Sequence, residues 1–319
     1  MSSNVTLKLL KIIKFKVNLT TVTGLLISAG RALGRIGGAD VEPMSIEREY
    51  QCIDDKGQLK LIRVRVPYIP GSSLKGRMRS LLEVALGLPL YSSDGKIWSH
   101  TPARTVQVNT NGDKITDAEF VEVLIDTELD RMFGYGAFPM NEVYETLKKN
   151  NSVDLMNNLL PVLTPTLIQV DDFFPDNNLV CNIYRENELV TFDDFIEDKN
   201  ENRLDRVTSA ADPRTVSRVK PGVTFTGSIS FLVYDKNFPK FKDYLNLLTK
   251  GMRLLEMTYL GAAGSRGYGR IKFSDISVSI YDAQSGTDSV VGSYNSLDDL
   301  INNVQTLVNF VQTVQATKS

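Results

Sequence analysis

Apolar and polar residues alternate at residues 13–19, where Ile13, Phe15, Val17 and Leu19 are separated by Lys14, Lys16 and Asn18. A period of two predicts a half-buried strand. Alternation returns at residues 59–66 (LKLIRVRV), which end at Pro67, and again at residues 224–234, where Phe225, Ile229, Phe231 and Val233 mark one face. Between them the period changes. Leu74, Met78, Leu81, Leu82 and Ala85 fall on one helical face, closed by Gly87. Phe241, Tyr244, Leu245, Leu248, Met252, Leu255 and Tyr259 repeat at three and four, so a long helix is predicted to open at Pro239 and to end at a Gly261 cap. A strand follows over 271–280. Ser296 and Asp299 then have capping-box spacing ahead of a last helix with Leu297, Leu300, Ile301, Val304, Leu307 and Val308 on its apolar face. Residues 166–172 (TLIQVDD) are a further candidate strand. Strand, helix, strands, helix, strand is the order of a ferredoxin-like or RRM-like α+β fold.

The domain reading follows from the same pattern. Residues 1–87 and 203–281 are expected to form the core, 88–202 to be inserted segments, and 282–319 to be a C-terminal extension with a helix. Residues 91–165 hold only a short periodic stretch near 118–133, and a segment of that length is expected to be ordered by partners.

Composition narrows the class. With 42% hydrophobic and 23% charged residues in 319, the chain is an ordinary globular one with room for a large core. A net charge of -2 does not advertise nucleic-acid binding, so that case rests on local clusters. Two Cys and one His exclude a disulfide scaffold and are too few for a structural zinc site, so no structural zinc is expected. The two Cys read as core or neutral positions. No apolar run reaches the ~18 residues of a membrane span. Residues 7–19 are broken by Lys8, Lys11, Lys14 and Lys16, which is unlike a signal peptide. A cytoplasmic protein without membrane contact is expected.

Four clusters could carry chemistry. The first is Gly71, Ser72, Ser73, Lys75, Arg77 and Arg79 at a predicted helix start, where free N–H groups favour an anion. Lysine in a first turn opposes the helix dipole. Lys75 and Arg79 are expected on a face away from the apolar stripe, as a phosphate site or as a solvated basic face. The second is the run of Gly261, Gly264, Gly267 and Gly269 around Ser265, Arg266 and Tyr268. Four glycines exceed what a turn needs. They suggest an anion nest with a charge at Arg266 and a stacking face at Tyr268. This loop runs from helix to strand, the reverse of Rossmann and Walker loops, and GK[ST] is missing, so no nucleotide cofactor is expected.

The third cluster is a change of sign. Residues 186–201 carry seven acids and one base, and residues 203–220 carry five bases and two acids. Arg203, Arg206, Arg214, Arg218 and Lys220 are interleaved with Val207, Val216 and Val219. Such a mix suits an arm lying on single-stranded RNA, with the acidic run as a segment that avoids it. An ordinary loop is the plainer reading. The fourth is Asp40 after Gly37 and Gly38, most simply a turn residue. His100 is a general-base candidate without an evident partner.

Together these motifs resemble the RAMP superfamily of CRISPR proteins. IPGSSLKGRMRSLLE (69–83) and LGAAGSRGYGRIKF (260–273) resemble its two signatures, and DRVTSAADPRTVSRV (205–219) resembles the thumb of the Csm-type backbone subunit of type III effector complexes. TGLLISAGRALGRIGGAD (23–40) aligns without gaps and puts Asp40 where that family's RNA-cleaving aspartate lies. The residues after Asp40 depart from the family pattern, with Glu42, Glu47 and Glu49 intervening, as in a diverged paralogue.

The resemblance implies a modified ferredoxin-like core with large insertions and a thumb-like arm. It implies a subunit that stacks along CRISPR RNA and cleaves complementary target RNA through Asp40, with a divalent cation, Mg or Mn. The RNA-binding residues it implies are Ser72, Ser73, Lys75, Arg77, Arg79, Arg206, Arg214, Arg218, Gly264, Ser265, Arg266, Gly267 and Tyr268. The partners it implies are CRISPR RNA, target RNA, neighbouring RAMP subunits, a small subunit and the large signature subunit. The alternatives are a non-catalytic structural subunit and a CRISPR-RNA-processing endoribonuclease with His100 as base.

Overall fold

The computed structural model describes residues 7–31, 41–92, 95–100, 128–134 and 165–316. The strands are β1 (Leu9–Thr21), β2 (Ser28–Arg31), β3 (Val41–Pro43), β4 (Ser45–Ile53), β5 (Leu59–Pro67), β6 (Ile168–Val170), β7 (Phe174–Pro175), β8 (Ile196–Leu204), β9 (Ala211–Val219), β10 (Thr224–Tyr234), β11 (Ile271–Asp282) and β12 (Thr287–Ser296). The helices are α1 (Gly71–Ala85), α2 (Glu128–Phe133), α3 (Asn177–Asn187), α4 (Phe241–Met257), α5 (Leu297–Asn302) and α6 (Val304–Ala316).

The main sheet has the order β12-β11-β1-β10-β6, with β7 also on β10, and its pairs are antiparallel. β1 leads through α1 to β6, and β10 leads through α4 to β11, so β11-β1-β10-β6 is the ferredoxin-like arrangement. β1 sits centrally because its odd-numbered side chains from Ile13 to Leu19 are all buried. They meet the apolar faces of α1 and α4. Gly251 permits the two helices to approach, since a Cβ there would lie 3.1 Å from Leu82. Phe231 and Phe241 meet edge to face at 5.6 Å, a favoured aromatic geometry.

Several boundaries differ from the sequence reading. Residues 168–175, placed in the insertion, and 287–296, placed in the extension, supply two edges of the main sheet. β6 lies within the candidate strand at 166–172, whereas β7 is too short and β12 too polar for period to reveal them. A 3-10 turn at Phe238–Lys240 precedes α4. That helix ends at Thr258, whose hydroxyl donates to Leu254 O, and Gly261 lies beyond it. The last helix breaks at Asn303 after a capping box from Ser296 and Asp299. Lys11 is 1% exposed and its amine donates to the carbonyl of Val311, where burial lowers its pKa against the opposing pull of Asp282.

Two smaller sheets stand beside the main one. β4 and β5 form a hairpin. A disulfide between Cys52 and Cys181 ties it to α3, so the two cysteines are core positions, as read, and are also paired with each other. Their separation of 129 residues hid that pairing from the sequence. The other sheet has the order β2-β3-β9-β8 and holds the segment resembling a thumb. Among the described residues no helix is long and apolar enough to cross a membrane.

Candidate nucleic-acid interface

The thumb is a β-hairpin whose turn is wound on one carboxylate. Asp205 Oδ1 accepts from the amides of Val207 and Thr208 at 2.9 and 2.7 Å. Residues 202–210 are exposed, and Val207 projects with 91% exposure. The base is different, because Val216 and Val219 are buried and Leu25 forms a bridge to Val219.

The acidic run does not avoid the basic one. β8 pairs with β9 in a register that sets Glu197 opposite Arg218 and Glu201 opposite Arg214. These partners meet at 2.7 Å in each case. Cross-strand opposite charges stabilise such a hairpin, and the sign change along the chain is therefore a pairing signal. The acids and bases are mirror-symmetric about the Asp205 turn, which is the signal that could have found it.

The Gly-rich loop packs against this hairpin and against residues 24–26. Gly269 N donates to Gly24 O at 2.9 Å, and Ala262 N to Leu26 O at 2.8 Å. Close packing explains most of the glycines. A Cβ at Gly264 would lie 2.0 Å from the Tyr259 ring, and one at Gly269 would lie 2.0 Å from Leu260 O with φ at +74°. The expectation that glycines beyond a turn imply an anion nest is thus corrected at these two positions, where backbone and ring contact demand them. Ser265, Arg266 and Gly267 form the exposed rim. Gly269→Ala should destabilise the protein by about 2–4 kcal/mol, from left-handed strain and overpacking together. Urea unfolding measures this, and an unchanged midpoint would mean the loop relaxes freely.

Tyr268 is not an open stacking face. It is 1% exposed, and the cations of Lys199 and Arg218 lie 4.4 and 4.6 Å from its ring centre. Its hydroxyl donates to Glu201 Oε1 at 2.7 Å. Glu201 Oε2 accepts from Arg214 Nη2 at 2.7 Å and from Arg266 Nη1 at 3.3 Å. Those bonds, from Tyr268 first and then Arg214, hold the Glu201 carboxyl at about 2 against its usual 4.5. A depressed carboxyl stabilises the fold above its usual value and loses that contribution only as pH falls toward 2, so the cluster persists at neutral pH. An open cleft of about 920 Å³ beside it is lined by Arg203, Arg206, Arg214 and Arg266 among others.

The basic helix start is divided. The anion at its N-terminus is protein: Gly71 N donates to Asp172 Oδ1 at 2.8 Å. Ser72 is exposed and Ser73 half-buried. Arg77 Nε donates to Tyr259 O at 3.1 Å, and the guanidinium lies 4.2 Å from the Tyr259 ring centre. Gly264 contacts that same ring, so Arg77, Tyr259 and the Gly-rich loop bring the two signature segments together.

Lys75 and Arg79 do not share a solvated face. Lys75 Nζ lies 3.4 Å from Ile168 O, and burial, then the Arg79 charge, lowers its pKa. Arg79 enters a buried cluster with Glu83, Asp130 and the Gly134 carbonyl. Helical spacing placed these residues correctly on α1. Glu83 is on the same helix, and the other partners come from residues 128–134 and 168, which folding brings over that face.

His100 has partners after all. Its Nδ1 is 2.8 Å from Pro89 O, and its Nε2 is 3.3 Å from Asp130 Oδ2 without hydrogen-bond alignment. At 1% exposure it is not placed to take a proton from an RNA hydroxyl.

Asp40 lies outside the described residues. Its chain neighbour Val41 pairs with Arg31 of β2 and Val216 of β9. Val41 also packs against the small cluster of Leu26, Val216 and Tyr268. Nearby, Glu42 Oε2 lies 3.4 Å from Arg65 and Glu47 Oε2 lies 2.7 Å from Arg63. Among the described residues no three His, Cys, Asp or Glu side chains converge as metal ligands.

The RAMP superfamily profile matches residues 18–272. The CRISPR system Cms endoribonuclease Csm3 of Methanothermobacter thermautotrophicus is 33% identical over 241 residues, covering 74% of this chain and 80% of its own. The Csm3 endoribonuclease of Streptococcus thermophilus is 24% identical over 264 residues, covering 83% and 88%. Among solved structures, the Csm3–Csm4 subcomplex of the type III-A CRISPR-Cas interference complex aligns at a TM-score of 0.46 and 20% identity, over 95% of this chain and 98% of that one. The superfamily match spans the first signature segment, the hairpin and all but the last residue of the second segment, and one relative is 33% identical over 74% of this chain and 80% of its own. On those grounds the chain belongs to the RAMP superfamily, in its Csm3 family.

Proposed function

We propose that this chain is a CRISPR-RNA-binding backbone subunit of a type III interference complex and that it cleaves complementary target RNA through Asp40. The observation that carries the reading is the meeting of Gly-rich loop, thumb hairpin and Val41 around one arginine cluster. Ser265, Arg266 and Gly267 at the rim, Arg206 and Arg214 on the hairpin, and Ser72 and Ser73 at the helix start are the residues offered to RNA. Tyr268, Gly264, Arg77 and Arg218 support that surface from beneath. The partners are CRISPR RNA, target RNA, neighbouring RAMP subunits, the small subunit and the large signature subunit, in the cytoplasm.

In the reaction a displaced target nucleotide turns its 2′-hydroxyl in line with the adjacent phosphate. The bond from O2′ to phosphorus forms as the bond to O5′ breaks, leaving a 2′,3′-cyclic phosphate and a 5′-hydroxyl. Asp40 orients the hydroxyl or accepts its proton, and O5′ takes up a proton as it leaves. A divalent cation, Mg or Mn, belongs to the proposal as an accessory charge. The described residues do not assemble a ligand set for it, so the steps above are derived without it. The test is recovery of the assembled complex: it should retain short RNAs of uniform length, and a complex free of RNA would sink the binding role.

A further inference from the structure

We propose that Glu201 is a positioning residue that joins Arg214 and Arg266 into one clamp for a phosphate of single-stranded RNA. The inference rests on the RNA-binding reading above and adds to it a residue that neither signature contains.

The geometry sets an acid where generic electrostatics would exclude one. Two guanidiniums from different elements, a strand of the hairpin and the rim of the Gly-rich loop, would repel each other if left alone. A single carboxylate oxygen, Glu201 Oε2, accepts from both. The carboxylate is itself fixed, because its second oxygen accepts from the buried Tyr268 hydroxyl. Glu201 lies beneath, with 14% side-chain exposure, while Arg214 and Arg266 are 47% and 54% exposed. Each guanidinium has five N–H donors and gives one of them to Glu201. The remaining donors are left for an anion at the cleft that both arginines line.

Charge bookkeeping agrees. Arg214, Arg266 and Lys199 surround one carboxylate, so the cluster keeps a net positive charge. The depressed Glu201 carboxyl stays ionised at neutral pH, so its bonds to both arginines are kept there. Holding both arginines before RNA arrives removes side-chain ordering from the cost of binding.

The test is Glu201→Gln in the full chain, with binding of a labelled single-stranded RNA followed against salt. Removing a negative charge beside a polyanion should tighten binding on simple electrostatics. The clamp predicts the opposite: about tenfold weaker binding and a salt slope shallower by about one counterion. In the Arg214→Ala/Arg266→Ala background the same change should have no effect. Equal or tighter binding by Glu201→Gln, or an undiminished loss in that background, overturns the clamp while the RNA-binding reading stands. Absence of RNA binding by the unmodified chain and its complex sinks both. Gln keeps an acceptor for Tyr268, and the melting midpoint is measured alongside. If the Gln variant unfolds, Tyr268→Phe carries the test by removing only the hydroxyl that pins Glu201. A several-fold loss of affinity supports the clamp, and unchanged affinity overturns it.

Discussion

Arg79→Met should cost about 3–5 kcal/mol of stability and leave the salt dependence of RNA binding unchanged. A basic residue in a helix start that resembles a phosphate grip would ordinarily be expected to act the other way. The burial decides between them. The Arg79 side chain is 19% exposed, against 6% for Glu83 and none for Asp130. Arg79 donates to both carboxylates and to the Gly134 carbonyl. Its removal leaves two buried carboxylates without the guanidinium they share, which is far worse than losing an exposed ion pair. Asp130→Ala should be costly for the mirror reason. The double variant Arg79→Met/Asp130→Leu should regain part of the loss, since apolar replacement of a buried pair relieves desolvation. Urea unfolding gives the free energies. A salt slope that falls by one counterion in a folded Arg79→Met protein would return Arg79 to the RNA surface.

That cluster also marks where the sequence stops being legible. The core was readable because β1, α1, β10, α4 and β11 each repeat at their own period, and with the candidate strand at 166–172 they give a ferredoxin-like order. Glu83 is a local partner of Arg79 at helical spacing, but Asp130 and Gly134 are separated from it by 51 and 55 residues in a segment without sustained period, and no local pattern announces them. β7 is too short to carry a period, and β12 is too polar. The thumb was visible as composition, but its geometry depended on recognising acids and bases as cross-strand partners. Glu201 shows the difference most clearly. In the sequence it is the last acid of a run. In the fold it is the one carboxylate that Arg214, Arg266 and Tyr268 share.

Asp40→Asn should reduce target cleavage by at least about 100-fold, the range of a lost proton acceptor, and leave guide and target binding within about 1 kcal/mol. Val41 packs on the cluster that includes Tyr268, whose hydroxyl donates to Glu201, and it pairs with Val216 of the hairpin. Asp40 precedes Val41 in sequence, and that adjacency is why the test is placed there. The change to Asn removes a negative charge and no phosphate donor, so affinity has little reason to fall. The nearest acids in sequence are already committed, Glu42 to Arg65 and Glu47 to Arg63. Glu42→Gln should accordingly keep cleavage, and it serves as the control for charge near the site. EDTA should reproduce the loss in the unmodified complex if a cation supplies accessory charge. Cleavage assays on a complementary RNA, with binding measured in parallel, separate the outcomes. Full cleavage by Asp40→Asn would remove the residue from the reaction, and joint loss of binding and cleavage would make it a support of the Gly-containing segment before β3.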